Sequence, residues 1–572
     1  MAHFHTKTKK GRPYLYVREI ARINGKPKVV SQTYIGSPEK VRELVKGGDP
    51  AIRSIRVDEF GALWLAMRAD EEIDLANIVD EIIPSDPRET GPSVGEYFLY
   101  AILNRMIEPK SKRELPDWYR NTAIQEIRPV NVSELSSQRF GAKWDRVSPE
   151  DLEKIAKRFF NKVWEKEEAN GDCLLFDTTN HYTYMSSKTP SELARRGKNK
   201  AGKHHLRQIG TALLVGRTNR LPLFYREYPG NLHDSNIFNA LIGEMLEIAS
   251  MVSQNKQRLT IIFDKGMNSD PNFEFLDDSP LLHFITTYSP YFASDFASLP
   301  LSQFAPLDIK KNRLLEEEGK SDERLMAYRT SGEFWGKKRA VIVTHNPGNA
   351  RKQEYVFSGK LEEIRKNLLE MRMKFNEGAP HWKNKDNIQE RYFSLCGRLH
   401  MASDYFSLEF SSSAGIPTMG FRKNVYRTET RKKQFGRNII ITDNLDWKTE
   451  EIFQASLDRN QIEEKFRQAN DHSHVSILPI RHWTDDKIRC HLFCCVVALT
   501  YMRRLELRLE EAGIKTSASS MMEKMKSLHS VLAVNKTGQP IRRLETPSKT
   551  HQKTLSAFGW EVSKNGVLQK TT

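Results

Sequence analysis

Apolar residues change period several times along this 572-residue chain, and each change marks a boundary. Tyr14–Ile23 and Lys28–Ile35 are rich in β-formers and flank Asn24-Gly25, a type I′ turn signal, so the start reads as a β-hairpin. Apolar residues then recur at i, i+3, i+4 over Val57–Ala69, Ile73–Ile83 and Gly95–Ile107, which predicts helices. Ser148, Pro149 and Asp151 supply an N-cap, a first-turn proline and an acid at N3, so a further helix should run from there to about Glu168.

From Gly171 the pattern becomes short apolar runs. Cys173–Asp177, Ile209–Val215 and Leu221–Tyr228 predict three strands, the second and third joined by the polar turn Gly216–Arg220. Ser235–Ser250 is an amphipathic helix with Ile237, Leu241, Met245 and Ile248 on one face. Leu259–Asp264 and Leu281–Thr287 are two more strands. The order β-β-β-α-β-β allows an antiparallel meander, then a crossover that sets the fourth strand parallel to the first. This is the order of a ribonuclease H-like sheet.

Beyond residue 300 short strands (Arg339–Thr344, Glu354–Phe357, Asp404–Phe410, Asn438–Thr442) alternate with charged stretches and one helix at about Leu361–Phe375. Helical pattern resumes from Thr449 to about Ala512, and the Ser-, Lys- and Thr-rich remainder carries two short helical candidates. The fold class expected is α/β. A basic β-hairpin segment (1–50) and a helical domain (51–168) precede a catalytic core in two parts (169–300 and 446–512). A β-rich insertion (301–445) separates those parts, and a basic, peripheral or dimerising segment (513–572) ends the chain. The hairpin suits a DNA contact or a solvated edge, and the helical domain suits DNA-end binding or a plain scaffold.

Charge narrows the partners. Lys and Arg total 89 against 73 acids, a net +16, which favours a polyanion such as nucleic acid. Residues 1–50 alone hold 11 basic and four acidic residues. An aromatic content of 10% excludes a disordered chain. Five cysteines without a CxxC pair exclude a disulfide scaffold and a zinc ribbon. The N-terminus lacks the apolar stretch of a signal peptide, and the run His491–Met502 is too short to span a bilayer. A cytoplasmic protein is expected, with no membrane partner.

Two strand-ending acids carry the candidate chemistry. If strands one and four are adjacent and parallel, Asp177 and Asp264 emerge side by side as hard oxygen ligands for Mg²⁺. A third acid from a helix would complete a two-ion phosphoryl-transfer site. Glu463 fits that role: Ile462 and Phe466 form a docking face, and Arg459, one turn before Glu463, shares its flank with Arg467 beyond. Taken singly, each acid reads equally as a cap or turn residue, and the Arg459–Glu463 pair as a surface salt bridge.

These residues resemble the DDE transposases of prokaryotic insertion sequences, in the branch with a Tyr-x2-Arg-x3-Glu-x6-Lys signature. Leu175–Thr179 resembles the first-Asp motif, Tyr228–Asp234 the family's Gly-Asn-x-x-Asp segment, and Phe263–Ser269 the second-Asp motif. Asp458–Arg467 resembles the third-acid helix, and Leu478–His491 the segment that follows it. The resemblance implies DNA cleavage at element ends and strand transfer into a target. It also implies Asp177, Asp264 and Glu463 as catalytic metal ligands for Mg²⁺ or Mn²⁺ (two ions), and an insertion between the second Asp and the Glu. The implied partners are double-stranded DNA (terminal inverted repeats and target) and a second copy of the chain as a DNA-bound homodimer, associated with the nucleoid when bound. Ser456 and Asn470 stand where the signature has Tyr and Lys, so the resemblance does not extend to the hairpin route of cleavage as an expectation and leaves that route open.

Between strands one and two, residues 188–207 hold seven basic residues and one acid, Glu192. Lys198, Lys200, Lys203 and the adjacent His204, with Arg459 and Arg467, are the candidate DNA contacts; a solvated loop is the bland alternative. His482 and His491 read as packing residues, Cys490, Cys494 and Cys495 as small buried hydrophobes, and Trp335, Trp382 and Trp447 as core residues or base-stacking platforms. Three functions remain open: a transposase, a stand-alone metal-dependent nuclease, and a decayed or domesticated DNA-binding protein without catalysis.

Overall fold

The structure is a computed structural model that describes residues 2–9, 12–23, 26–36, 52–86, 88–89, 91–167, 173–198, 202–252, 259–413, 416–535 and 539–571. The chain divides into two compact units, Met1–Arg146 with Tyr501–Thr572, and Val147–Thr500.

In the first unit, Ala2–Lys9, Arg12–Ile23 and Lys26–Gly36 form a three-stranded antiparallel sheet, one strand more than the expected hairpin. The Asn24-Gly25 turn lies outside the described residues. The helix expected over Val57–Ala69 is instead a strand, Ile52–Glu59, followed by a helix, Gly61–Asp70. The strand pairs antiparallel with His529–Asn535, which pairs with Pro540–Leu544. A partner strand distant in the sequence thus overrides the local helical period, and residues beyond 513 are built into this unit. Leu75–Ile82 and Val94–Ile107 are helices as expected, the latter closed by a Ser93–Glu96 capping box.

The second unit opens with α1 (Pro149–Lys166), whose N-cap Ser148 accepts from the Asp151 amide. Then come β1 (Cys173–Thr183), β2 (Arg207–Gly216), β3 (Pro222–Pro229), α2 (Asp234–Val252), β4 (Leu259–Phe263) and β5 (Leu282–Tyr288). β1 pairs antiparallel with β2, and β2 with β3. β4 lies parallel between β1 and β5. The strand order is therefore 3-2-1-4-5, with the crossover parallelism that the apolar pattern predicts. Ile248 of α2 is outside the described side chains.

Residues 301–445 depart from a β-rich insertion. They contribute β6 (Met326–Phe334), β7 (Lys337–His345), α3 (Pro347–Asn376), α4 (Lys385–Leu399), β8 (Phe406–Ser413), β9 (Ile416–Lys423), α5 (Val425–Lys433) and β10 (Arg437–Thr442). Glu354–Phe357, expected as a strand, lies in the 30-residue α3, where Phe357, Leu361, Ile364 and Leu368 face one core. That stripe spaces apolar residues by three and four, a helical period that outweighs the β-formers Tyr355 and Val356. β10 pairs antiparallel with β5, and β7 and β6 follow, so the insertion extends the core sheet into a ten-stranded mixed sheet. The remaining helical stretch divides into α6 (Thr449–Asp458), α7 (Asn460–Ala469) and α8 (Asp485–Glu511). Among the described residues no helix is long and apolar enough to cross a membrane.

The sheet core rests on edge-on and tilted aromatics. Phe176 of β1, Phe238 of α2 and Phe263 of β4 are fully buried, with centroids of neighbouring rings 5.2 and 4.7 Å apart. Phe238→Ala should cost about 3–5 kcal/mol, because α2 cannot collapse into the space left between two strands. Urea unfolding measures it; a loss below about 1 kcal/mol would show that the ring does not hold α2 to the sheet.

Candidate active site

Asp177 does not end its strand. It sits mid-way along β1, which pairs with β4 only over Cys173–Leu175 and continues along β2 to Thr183. Its side chain thus rises just past the end of β4, where Asp264 follows Phe263. The cause is length: β1 is twice the apolar run that marks it, because polar Thr179 and Asn180 still pair with β2.

Glu463 reaches the same edge from α7. Ile462 and Phe466 are buried, as the docking face requires, and α7 packs on β1. Arg459, at the junction of α6 and α7, places its guanidinium among all three acids. One amino nitrogen is 3.4 Å from Glu463 Oε1 and 4.0 Å from Asp177 Oδ2, and the other is 3.7 Å from Asp264 Oδ1. These separations exceed ordinary hydrogen bonds, so the cation is held by charge more than by directed bonding. The side-chain exposure runs from 10% for Asp177 through 32% for Asp264 to 55% for Glu463. The cluster thus has a buried floor and an open mouth.

Further residues fix this arrangement. Thr287 on β5 donates to Asp264 Oδ1 at 3.3 Å, and the Thr178 amide donates to Asp177 Oδ1 at 2.9 Å. Arg217, in the turn after β2, gives its amide to the Cys173 carbonyl and its Nε to Asp458 Oδ2 at 2.7 Å, tying the α6–α7 junction to the start of β1. Nothing in the sequence marks Arg217 or Thr287 for these roles; each acts through a contact more than 20 residues away. Tyr228 is buried against β2, where a Cβ on Gly210 would meet its ring at 2.0 Å. Burial, then the charges of Asp234 and Asp177, push its hydroxyl well above the ordinary phenol range. Asp234 itself reaches Gly266, so the Tyr228–Asp234 segment borders the acid cluster.

The other sequence candidates are placed differently. Arg467 is exposed and pairs with Glu464 at 3.7 Å, away from the acids. Lys198 and His204 are exposed, Lys203 lies 4.0 Å over the Tyr182 ring, and Lys200 is outside the described residues. Arg207 is not a free cation of that loop: its guanidinium donates to the Thr189 and Ser187 carbonyls. Asp485 accepts from Ser191 and from the Glu192 and Leu193 amides, which secures the loop's first half. His491 bonds the Ile477 carbonyl, Trp335 stacks on Phe273 at 3.4 Å, and all five cysteines are buried thiols, so these act in packing.

The donor set suits a hard divalent cation: three carboxylates from three elements, with no soft ligand beside them. As the side chains stand, no group of three His, Cys, Asp or Glu among the described residues is close enough to hold a metal, and the Arg459 guanidinium supplies the positive charge instead. An ion would require that guanidinium to move aside.

No protein-family model matches the chain, and no curated protein matches it. Among solved structures, the cryo-EM structure of a piggyBac transposase synaptic complex with hairpin DNA is similar at a TM-score of 0.37 and 9% identity. The match covers 81% of this chain and 79% of that one. That likeness is too loose to establish a shared fold or activity.

His181, four residues beyond Asp177, is fully buried with Nε2 3.0 Å from Thr211 Oγ1. Burial lowers its pKa to about 4, partly offset by the Asn470 side chain against the ring. A histidine neutral when folded must take up a proton on unfolding below its ordinary pKa. Its contribution is therefore full above about pH 6.5 and declines as the pH falls towards 4, by about 3 kcal/mol in all. Thermal melts from pH 7.5 to 4.5 should show this decline, and His181→Gln should flatten it. An equal slope in both proteins would remove His181 from the acid sensitivity.

Proposed function

We propose that this chain is a DDE-type transposase: an enzyme with a ribonuclease H-like core that cuts DNA at element ends and joins the freed 3′-OH to a target strand. The observation that carries the reading is the meeting of Asp177, Asp264 and Glu463, separated by 87 and 199 residues, around one guanidinium at the carboxyl edge of parallel strands. The strand order 3-2-1-4-5 supports the ribonuclease H-like assignment, and the net charge of +16 supports a DNA substrate.

In this reading the three carboxylates hold Mg²⁺ or Mn²⁺, in a pair. Bound ions of this kind supply positive charge that lowers the cost of attack and departure at phosphorus. The chain's own part is positional. Arg217 and Thr287 hold the helix junction and Asp264 in place, and the buried floor at Asp177 limits water. Arg459, released from the acids, becomes available to a phosphate, and Lys198, Lys200, Lys203 and His204 supply further phosphate contacts. Two copies pair two DNA ends.

A second reading, DNA binding without catalysis, is favoured by Asn470. Where the signature has a phosphate-contacting Lys, Asn470 turns towards His181 instead.

A strand-transfer assay with a pre-cleaved end and Mg²⁺ separates the readings. Joined product supports the transposase, nicking without joining a nuclease, and binding with neither product the non-catalytic protein. Asp177→Asn, Asp264→Asn and Glu463→Gln should each abolish cleavage, retain DNA affinity within a few-fold, and weaken Mn²⁺ binding followed by water-proton relaxation. Wild-type rates in any of the three would refute the site. Lys198→Ala with Lys200→Ala and Lys203→Ala should reduce the log–log salt slope of duplex binding by about 2–3. An unchanged slope would remove the loop from the interface.

A further inference from the structure

A second basic surface lies in the second unit and shares no residue with the acid cluster. It is a groove of about 820 Å³ between the start of α3, the end of α4 and α5. Its cations are Lys352, Lys360, Arg427 and Arg431, and no carboxylate is among the described residues that line it. Asp404 pairs with Arg427 from outside the lining at 2.7 Å, and the Arg431 guanidinium bonds Gln434 at 2.9 Å. Lys360 gives one proton to the Leu399 carbonyl and keeps two. Lys352 is exposed and has no carboxylate partner among the described residues.

The same groove is aromatic. Tyr405, 4% exposed, forms part of the floor, with the Arg427 guanidinium 5.9 Å from its ring; Arg431 stands 5.6 Å from the ring of Phe435. Tyr291 at the rim is 71% exposed, and Phe292, 76% exposed, lies with its ring 5.2 Å from that of Tyr291. Two adjacent, largely exposed aromatic rings beside a basic groove form an apolar patch rimmed by polar groups, the kind of surface that marks a binding site.

We propose that this groove binds unpaired single-stranded DNA, one or two nucleotides deep, with phosphates on Lys352, Lys360 and Arg431 and a base stacked on Tyr291. The volume is that of a small-ligand pocket and exceeds what one phosphate fills. A duplex offers phosphates but keeps its bases stacked on each other, leaving the aromatic surface uncovered; an unpaired strand satisfies both. The proposal extends the DNA reading to a separate surface and requires neither metal nor the three acids.

The test uses the full chain carrying Asp264→Asn, in EDTA, with fluorescein-labelled dT12 and a duplex of equal length, followed by anisotropy across a salt series. Tyr291→Ala, at an exposed position that should not perturb folding, should weaken dT12 binding about tenfold and leave duplex binding unchanged. Lys352→Ala with Arg431→Ala should lower the dT12 salt slope by about 1.4, the value for two phosphate contacts on a single strand. Circular dichroism checks that double variant. Unchanged dT12 affinity in Tyr291→Ala, or equal losses for dT12 and duplex, would overturn the proposal. Because the background cannot depend on catalysis, an inactive wild type in the strand-transfer assay leaves this result standing, and the reverse also holds.

Discussion

Three carboxylates cannot share one sheet edge without a cation between them, and in this structure Arg459 is that cation. At 4 Å a unit pair attracts by about 4 kcal/mol at an effective dielectric near 20, and by about 1 kcal/mol in water. Asp177, with a side chain only 10% exposed, lies nearer the first limit, and the half-exposed Glu463 nearer the second. The contact that matters most is thus the longest of the three, at 4.0 Å, because it compensates the most buried charge. This explains why the α6–α7 junction is so firmly tied down. Asp458 beside Arg459 is held by Arg217, which is anchored in turn to the first residue of β1.

The sheet creates the place for this cluster by a mismatch of strand lengths. β4 is five residues long and β1 eleven, and their parallel pairing covers only three positions. Beyond that overlap β1 keeps β2 on one side and is not paired with β4 on the other. α7 packs on β1, which brings a helical carboxylate down to two strand carboxylates. Ligands of open α/β sheets settle at the carboxyl ends of strands for the same reason: the backbone stops and side chains take over.

Much of this was legible in the residues. The five core strands, α2 and the buried pair Ile462 and Phe466 follow from periodicity alone, and the two aspartates from their place after apolar runs. What misled was local propensity where distant partners decide. Val57 is helical by spacing, yet it pairs with Val531 more than 470 residues away. Tyr355 and Val356 are β-formers, yet they are 83% and 55% exposed on a helix whose opposite face builds a core. The insertion's strands were visible, but their destination was not: no pattern within β10 announces that it will pair with β5 and so extend the core sheet. Arg459 was found as a neighbour of Glu463 by the four-residue helical spacing. Its reach to Asp177 and Asp264 depends on tertiary placement, which spacing cannot express.

Asn470 bears on how the acid-bearing elements meet. It follows the last residue of α7, seven residues beyond Glu463, and its side chain lies against His181. His181 is on the strand of Asp177 and four residues on, so both point to the same face of the sheet. The helix that bears Glu463 meets the strand that bears Asp177 through the apolar face at Ile462 and Phe466, and the half-buried Asn470 side chain lies near the His181 ring at the helix end. A lysine at 470 would set a cation near the fully buried, neutral His181 ring, whereas asparagine adds no charge there. An uncharged side chain at 470 thus suits the neutral His181 ring on the strand that carries Asp177.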